Sequence, residues 1–372
     1  MKLTIERAVL LTALSHVQSV VERRNTIPIL SNVLLEAEGE RLALTATDLD
    51  IAVVEKLPAK VEKPGATTVA AHTFYDIVRK LPDGAEIELT FAASDQRLDL
   101  RAGRSSFKLS CLPKEDFPVM AAGDLPHSFQ LPADQLRRLI DKTRFAISTE
   151  ETRYYLNGIY LHAASSAGVP MMRAVATDGH RLARVGAPLP AGAAGMPGVI
   201  VPRKTVNELR KLLEGGAADV KIELSDTKIR FTFGELVLVS KLIDGAFPEY
   251  ERVIPRDNDK VMEVDSKAFA AAVDRVATIS TEKSRAVKLS LKPEGIELSA
   301  TSPDHGSASE QLTAAYSAAP IEVGYNSRYL LDIASQIEGE NARFLLADAL
   351  APTLVRDPSD DGALYVLMPM RV

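Results

Sequence analysis

The chain has 372 residues, 46% hydrophobic and 25% charged, with a formal net charge of −6 and a single cysteine. That length exceeds one ordinary core and suits two or three domains, and the composition is that of a globular protein. A mildly acidic, cysteine-poor chain has no internal disulfide framework, points to a reducing cytoplasm, and is not a uniformly basic nucleic-acid binder.

Early charges at Lys2, Glu6 and Arg7 leave no room for a secretory signal core. No run approaches the roughly 20 apolar residues of a membrane span, so no membrane partner is expected. In chain order, a strand at Leu3-Thr4-Ile5 leads into an amphipathic helix over 7–20, with Val9, Leu10, Leu14 and Val17 near one face. Strands follow at 33–37 and 41–47, then a short helix over 73–81 that Pro82-Asp83-Gly84 stops. Segments 86–91, 97–102 and 106–112 alternate as strands, and Cys111 in the last of them reads as a buried strand residue rather than a nucleophile.

The pattern then restarts. Phe129-Gln130-Leu131 precedes a helix over 134–145, and Met262-Glu263-Val264 precedes one over 266–279 with Ser266 as the expected N-cap. Second helices are expected at 204–213, ended by Gly215-Gly216, and at 327–337, ended by Gly339. A turn threonine recurs in Ala46-Thr47-Asp48, Ala176-Thr177-Asp178 and Ala300-Thr301-Ser302. Repeats of roughly 130 residues are far longer than solenoid units and mean whole domains. We therefore expect an α+β chain of three tandem copies of one domain, each with two helices packed on antiparallel sheets, at 1–126, 127–260 and 261–372. The Pro-containing stretches 113–126 and 248–259 are the junctions, and 187–198 is an internal loop.

The helices are rich in basic residues. Residues 134–144 carry Arg137, Arg138, Lys142 and Arg144; 203–214 carry Arg203, Lys204, Arg210 and Lys211; 266–285 carry Lys267, Arg275, Lys283 and Arg285; Arg23-Arg24 flank the first helix. Helix 327–340 is acidic overall. Singly these are solvated faces, but several in an acidic chain point to one surface that meets a polyanion.

Arg153-Tyr154-Tyr155-Leu156-Asn157-Gly158, Ala176-Thr177-Asp178-Gly179-His180-Arg181-Leu182, Val201-Pro202-Arg203-Lys204, Phe247-Pro248-Glu249-Tyr250-Glu251-Arg252-Val253 and Val366-Leu367-Met368-Pro369-Met370-Arg371 closely resemble the bacterial DNA polymerase III beta subunits, the sliding clamps. The likeness runs from end to end. It implies a head-to-tail homodimer whose six domains close a ring around double-stranded DNA, loaded by an ATP-dependent clamp loader. It implies no catalysis, no cofactor and no metal. The partners it implies are the polymerase III alpha subunit, the clamp-loader delta subunit, and other polymerases and repair proteins carrying clamp-binding peptides. The family's DNA-contacting positions fall on Arg24, His72, Glu150, Tyr154, Tyr155, Arg203 and Lys204, with His72 and Glu150 standing where a relative can carry Arg and Gln. Its peptide pocket maps to Leu156, Thr177, Gly179, His180, Arg181, Leu182, Pro248, Arg252, Val253, Asn326, Tyr329 and Val366, Leu367, Met368, Pro369, Met370, Arg371 and Val372, the last in place of a relative's Leu. The dimer contact it implies sets Arg97, Arg104, Phe107 and Leu109 against Ile279, Asp304 and Glu310.

The residues themselves support the pocket. An apolar chain end with Pro369 demotes its strand to an edge, and two methionines beside it make an adaptable apolar surface. Asp178-Gly179-His180 offers an acid–base pair, but a turn repeated through the chain is structural first, and neither metal-ligand histidine spacing nor a phosphate-cradling Gly loop is present. A peptide-binding scaffold that does not encircle DNA stays as the alternative.

Overall fold

Period-two alternation dominates the sequence, and strands with unpaired backbone edges must find neighbours. The computed structural model describes every residue except 122, 216–218, 281–284, 294 and 372, so the expectations for Gly216, Lys283 and Val372 lie outside the described residues. Among the described residues the strands form sheets of 13, 9 and 4 members, with every pairing antiparallel. By its internal contacts the chain divides into two compact units: Met1–Arg137 with Pro190–Pro197 and Lys204–Leu242, and Arg138–Leu189 with Gly198–Arg203 and Ile243–Val372.

The first unit holds the 13-stranded sheet. Two strand sets join in it where Leu236–Lys241 pairs with Ile51–Pro58, from Leu236↔Glu55 to Ser240↔Ile51. Helix α1 (Arg7–Gln18) buries Leu10, Ala13, Leu14 and Val17, and α2 (Ala71–Lys80) buries Ala71, Phe74 and Val78. Helix α2 begins two residues before the expected start because Ala71 is itself a buried helix former. Cys111 is buried on its strand, and burial pushes its thiol pKa up, as suits an inert core position.

The second unit repeats the device. Its nine-stranded sheet is joined where Arg181–Pro188 pairs with Asp360–Leu367, from Arg181↔Leu367 to Val185↔Ala363. The four-stranded sheet runs Gly306–Leu312, Gly295–Ser302, Ala286–Lys292, Ile321–Asn326. Helices α5 (Ser266–Ala277) and α6 (Ser327–Ala334) belong to this unit, with Phe269 of α5 against Phe344 at 5.2 Å between ring centroids. Two further helices, α3 (Ala133–Asp141) and α4 (Arg203–Leu212), complete the helical set of the described residues.

Helices end earlier than apolar periodicity alone predicts, because side chains intercept the backbone. After α3 the Thr143 hydroxyl donates back to the Leu139 carbonyl at 2.5 Å, and the chain tightens into a 3-10 turn at Arg144–Ala146. The expected Ser266 cap is corrected. Asp265 is the N-cap of α5, its carboxylate accepting from the Ala268 N–H at 2.7 Å, and Ser266 is the buried first helical residue.

The recurring turn is one wiring diagram. Thr47 donates to the Ile51 carbonyl and accepts from the Leu49 N–H, while Asp48 accepts from the N–H groups of Asp50 and Ile51. Thr177 and Asp178 do the same for Arg181, Gly179 and His180. In the third copy the turn hydroxyl is supplied by Ser302, which accepts from the Asp304 N–H, and not by the expected Thr301. Gly179 sits at φ 89°, and Leu49 occupies the equivalent place at φ 79°, a conformation that strains a residue with a Cβ.

Beyond α6, the buried Asp357 carboxylate gathers the N–H groups of Glu338 (2.7 Å), Gly339 (3.0 Å) and Ser359 (2.8 Å) and the Ser359 hydroxyl (2.6 Å). Gly339 is required there, since a Cβ would lie 2.6 Å from the carboxylate. Burial works against the charge, but the hydroxyl and N–H donors outweigh it and hold the pKa down at about 2. A carboxylate with a lowered folded pKa stabilises above its unfolded pKa and loses that contribution as pH falls through the folded value. The stability gap between the native chain and Asp357→Asn, measured by urea unfolding, should therefore be widest above pH 5. It should narrow by up to ~2 kcal/mol as pH falls towards 2.

Candidate peptide cleft and nucleic-acid contact residues

Two antiparallel strands, Val169–Thr177 and Arg181–Pro188, meet at the Thr177–Arg181 turn, and the C-terminal strand Asp360–Leu367 lies beside them. Segment 247–253 folds over this sheet and seats Tyr250 against Val175, Leu182, Leu354, Leu364 and Val366. The two enclose a cleft of about 290 Å³, lined by Leu156, Thr177, Gly179, Arg181, Leu182, Pro248, Val253, Val366 and Met368 from the expected set. The chemistry is that of an apolar slot with a flexible Met368 at its lip, 39% exposed.

Four more residues line it: Arg153, Tyr155, Glu249 and Tyr250. Tyr155 stood in the DNA-contacting set, and here it walls the cleft. Glu249 and Tyr250 fall inside the Phe247-Pro248-Glu249-Tyr250 motif, whose aromatic-Pro-aromatic spacing is a legible signal. Arg153 is placed only by the tertiary approach of its guanidinium to Gly179, where a Cβ would meet it at 2.6 Å. The other expected residues lie outside this lining. His180 is exposed and stacks on Tyr329 at 6.2 Å, Asn326 caps α6 by accepting from the Arg328 N–H, and Leu367 is fully buried. Exposed Arg252 pairs with Glu249. Met370 closes a bridge to Gly324, and Pro369 and Arg371 flank it.

Beneath the turn, Arg181 is buried, 7% exposed. Its guanidinium lies 4.3 Å from the Tyr329 ring centre and 5.2 Å from that of Phe145, and it donates to Asp178, Asp332 and the Phe145 carbonyl. Asp178 is thereby committed to the turn and to Arg181, which leaves no free acid–base pair with His180. Among the described residues no three His, Cys, Asp or Glu side chains converge as a metal site, and no helix is long and apolar enough to cross a membrane.

The expected DNA-contacting residues differ in how free they are. In the first unit Arg24 is exposed and unpaired among the described residues, whereas the Lys204 ammonium binds Glu22 and Asp48, each at 2.5 Å, and the Val20 carbonyl. The His72 ring nitrogens contact Gln18 and the Val21 carbonyl, each at 3.0 Å, tying α2 to the end of α1. In the second unit Arg203 is exposed and unpaired among the described residues, and Tyr154 is 54% exposed, edge-on to Tyr155. Glu150 holds Arg153 at 2.7 Å, and that bond lowers its pKa. The broad basic faces inferred for the helices are corrected, because most of their cations are paired. Arg138 meets Asp360, Lys142 meets Glu338, Arg144 meets Asp141, Lys211 meets Glu208 and Arg275 meets Glu310. Arg137 and Lys267 stay unpaired among the described residues.

Each unit has a strand with one side unpaired over most of its length among the described residues. Strand Ser105–Leu112 pairs along its length with Arg97–Ala102 but on its other side only at Cys111 and Leu112. Strand Gly306–Leu312 ends the four-stranded sheet and, among the described residues, pairs only with Gly295–Ser302. Phe107, Leu109 and Ile279 are half-buried, Arg97, Arg104 and Asp304 exposed, and Glu310 is already held by Arg275.

Tandem domains joined strand to strand around an apolar cleft are the architecture of a clamp. Profiles of the DNA polymerase III beta subunit match throughout: the N-terminal domain at residues 1–121, the central domain at 130–249 and the C-terminal domain at 251–371. The beta sliding clamp of Caulobacter vibrioides is 57% identical over the full length of both chains, and those of Pseudomonas aeruginosa and Escherichia coli are 41% and 39% identical, also over the full length. A crystal structure of the Caulobacter crescentus clamp superposes with a TM-score of 0.96 at 56% identity, covering all of both chains. One of the Bartonella birtlesii clamp bound to griselimycin gives 0.97 at 52%, again over all of both chains. The chain belongs to the DNA polymerase III beta subunit family, the beta sliding clamps, which are processivity factors of DNA replication and not enzymes.

Truncating Arg181 would strand Asp178 and Asp332 beneath the turn. Arg181→Ala should cost about 3–5 kcal/mol in urea unfolding, and Arg181→Lys should recover little, since an ammonium cannot serve both acids and both rings.

Proposed function

We propose that two copies of this chain pair head to tail, closing six domains around duplex DNA, and that the cleft docks linear peptides of DNA-handling proteins. The proposed domains are 1–126, 127–260 and 261–372. Two of the chain's open strand edges support the assembly reading: an unpaired edge is a template for another strand, and two different edges on one chain give a heterologous contact that closes after two protomers. Phe107 and Leu109 would face Ile279 there, with Arg97 and Arg104 near Asp304 and Glu310.

Unpaired Arg24 and Arg203 and exposed Tyr154 support a loose phosphate contact. A tether that slides needs attraction without deep, sequence-specific minima, so phosphate contacts serve it and base-edge contacts do not. Lys204, His72 and Glu150 would act through their neighbours. The cleft's apolar lining supports a motif with one or two apolar anchors, such as the polymerase III alpha subunit, the clamp-loader delta subunit or other polymerases and repair proteins would carry. ATP-driven loading would then be the partner's chemistry, and the site of action the cytoplasm.

Protein loaded onto nicked circular DNA should stay bound through gel filtration and be lost when the circle is linearised. Equal retention on both forms would favour a peptide-binding scaffold that does not encircle DNA. Met368→Ala should weaken a fluorescent peptide with a Leu-Phe anchor by roughly tenfold in anisotropy titrations while leaving retention on circles unchanged. Phe107→Ala with Ile279→Ala should raise the dimer dissociation constant in sedimentation equilibrium.

A further inference from the structure

Past Pro248, Glu249 and Tyr250, which also wall the cleft, lies a second, open cavity of about 460 Å³. Its floor is aromatic: Tyr160 stacks on Phe247 at 4.8 Å and on His162 at 4.6 Å between ring centroids. Arg173, two strands in, has its donors filled by the Tyr250 hydroxyl, Glu251 and the Ser165 carbonyl.

Arg184 is the exception. Its register, opposite Val175 on one side and Leu364 on the other, puts it on the face that seats Tyr250, diagonal to Arg173. The residue is half-buried, and among the described residues it makes no hydrogen bond or ion pair. Arg356, two strands away across Asp360–Leu367, and Arg256 on the cavity rim are exposed and, among the described residues, also lack acceptors. Burial, then repulsion from Arg173, push the Arg184 pKa down, with Arg356 adding to the repulsion. A guanidinium stays charged regardless, and a desolvated cation without an acceptor is unfavourable until an anion completes it. Tyr250 and Glu251 attract Arg184 without bonding to it, since Glu251 is held by Arg173 and Glu249 by Arg252.

We propose that Arg184, with Arg356 and Arg256, recognises carboxylates of an acidic segment flanking the motif that a partner peptide seats in the cleft. The shared wall at Pro248–Tyr250 makes the cleft and the cavity neighbours, Arg256 lines the cavity, and Arg184 lies on the sheet face that seats Tyr250. Charge complementarity selects Asp and Glu, and guanidinium groups bind carboxylates bidentately. The inference rests on the peptide reading of the cleft.

The test uses the full chain and fluorescent peptides with one Leu-Phe anchor and a four-residue tail of Glu or of Gln, before or after the anchor. A Glu tail on one side should tighten binding roughly three- to tenfold at low salt over the Gln tail. Arg184→Gln should abolish that gain and leave the Gln-tailed peptide unchanged, while Arg184→Lys keeps part of it. Equal affinity of both tails, or a gain that survives Arg184→Gln combined with Arg356→Gln, overturns the proposal and leaves the cleft intact. Failure of every peptide to bind the native chain overturns the cleft reading as well. Loss of retention on circular DNA in Arg184→Gln, with the Glu-tail gain preserved, assigns these arginines to nucleic acid and overturns it too.

Discussion

Backbone N–H and C=O groups at a strand edge have to be paired, and the architecture of this clamp follows from how that is done. Within each unit, strands from different repeats continue one another's sheets, at Leu236–Lys241 with Ile51–Pro58 and at Arg181–Pro188 with Asp360–Leu367. A repeated domain joined in this way keeps the same edges available in each copy. Among the edges this leaves, Ser105–Ser110 and Gly306–Leu312 alternate exposed and half-buried side chains. Such edges are stable in water yet ready to pair with another strand.

The cleft depends on the same joint. Thr177 and Asp178 bind the turn to itself, Gly179 supplies the left-handed backbone, and Arg181 anchors the turn from below through Asp332 of α6 and the rings of Phe145 and Tyr329. A rigid floor of this kind fixes where Leu182 and Val366 stand, while Met368 at the lip stays adaptable. The division leaves a constant pocket floor and a rim that can conform.

Electrostatics divides the molecule differently from composition. Most basic side chains on the helices are neutralised by acids, so the net field of those faces is set by the few cations left over, Arg24, Arg137, Arg203 and Lys267 among them. A sparse set of free charges gives attraction to phosphate without a deep well. Arg184 belongs to the same logic on the opposite kind of surface, a sheet face, where a cation without an acceptor marks a place for an anion.

Sequence alone determined the features that are local and repeated: the tandem α+β copies, the Thr-Asp turn and the apolar C-terminal strand, because periodicity and turn chemistry act over a few residues, while the cleft residues came from the family resemblance. It also carried the family motifs from end to end. Tertiary structure decided everything that rests on partners distant in the chain. Lys204 reads as a free cation until Glu22, 182 residues away, is found beside it, and Arg138 until Asp360, 222 residues away, is found on its guanidinium. That Tyr155 also walls the cleft is visible only once the 247–253 segment folds against it, and Arg184 reads as an ordinary surface arginine until its strand register and burial are known. Strand pairing and ion pairing are long-range choices among many chemically equivalent candidates, and only the folded packing selects one of them.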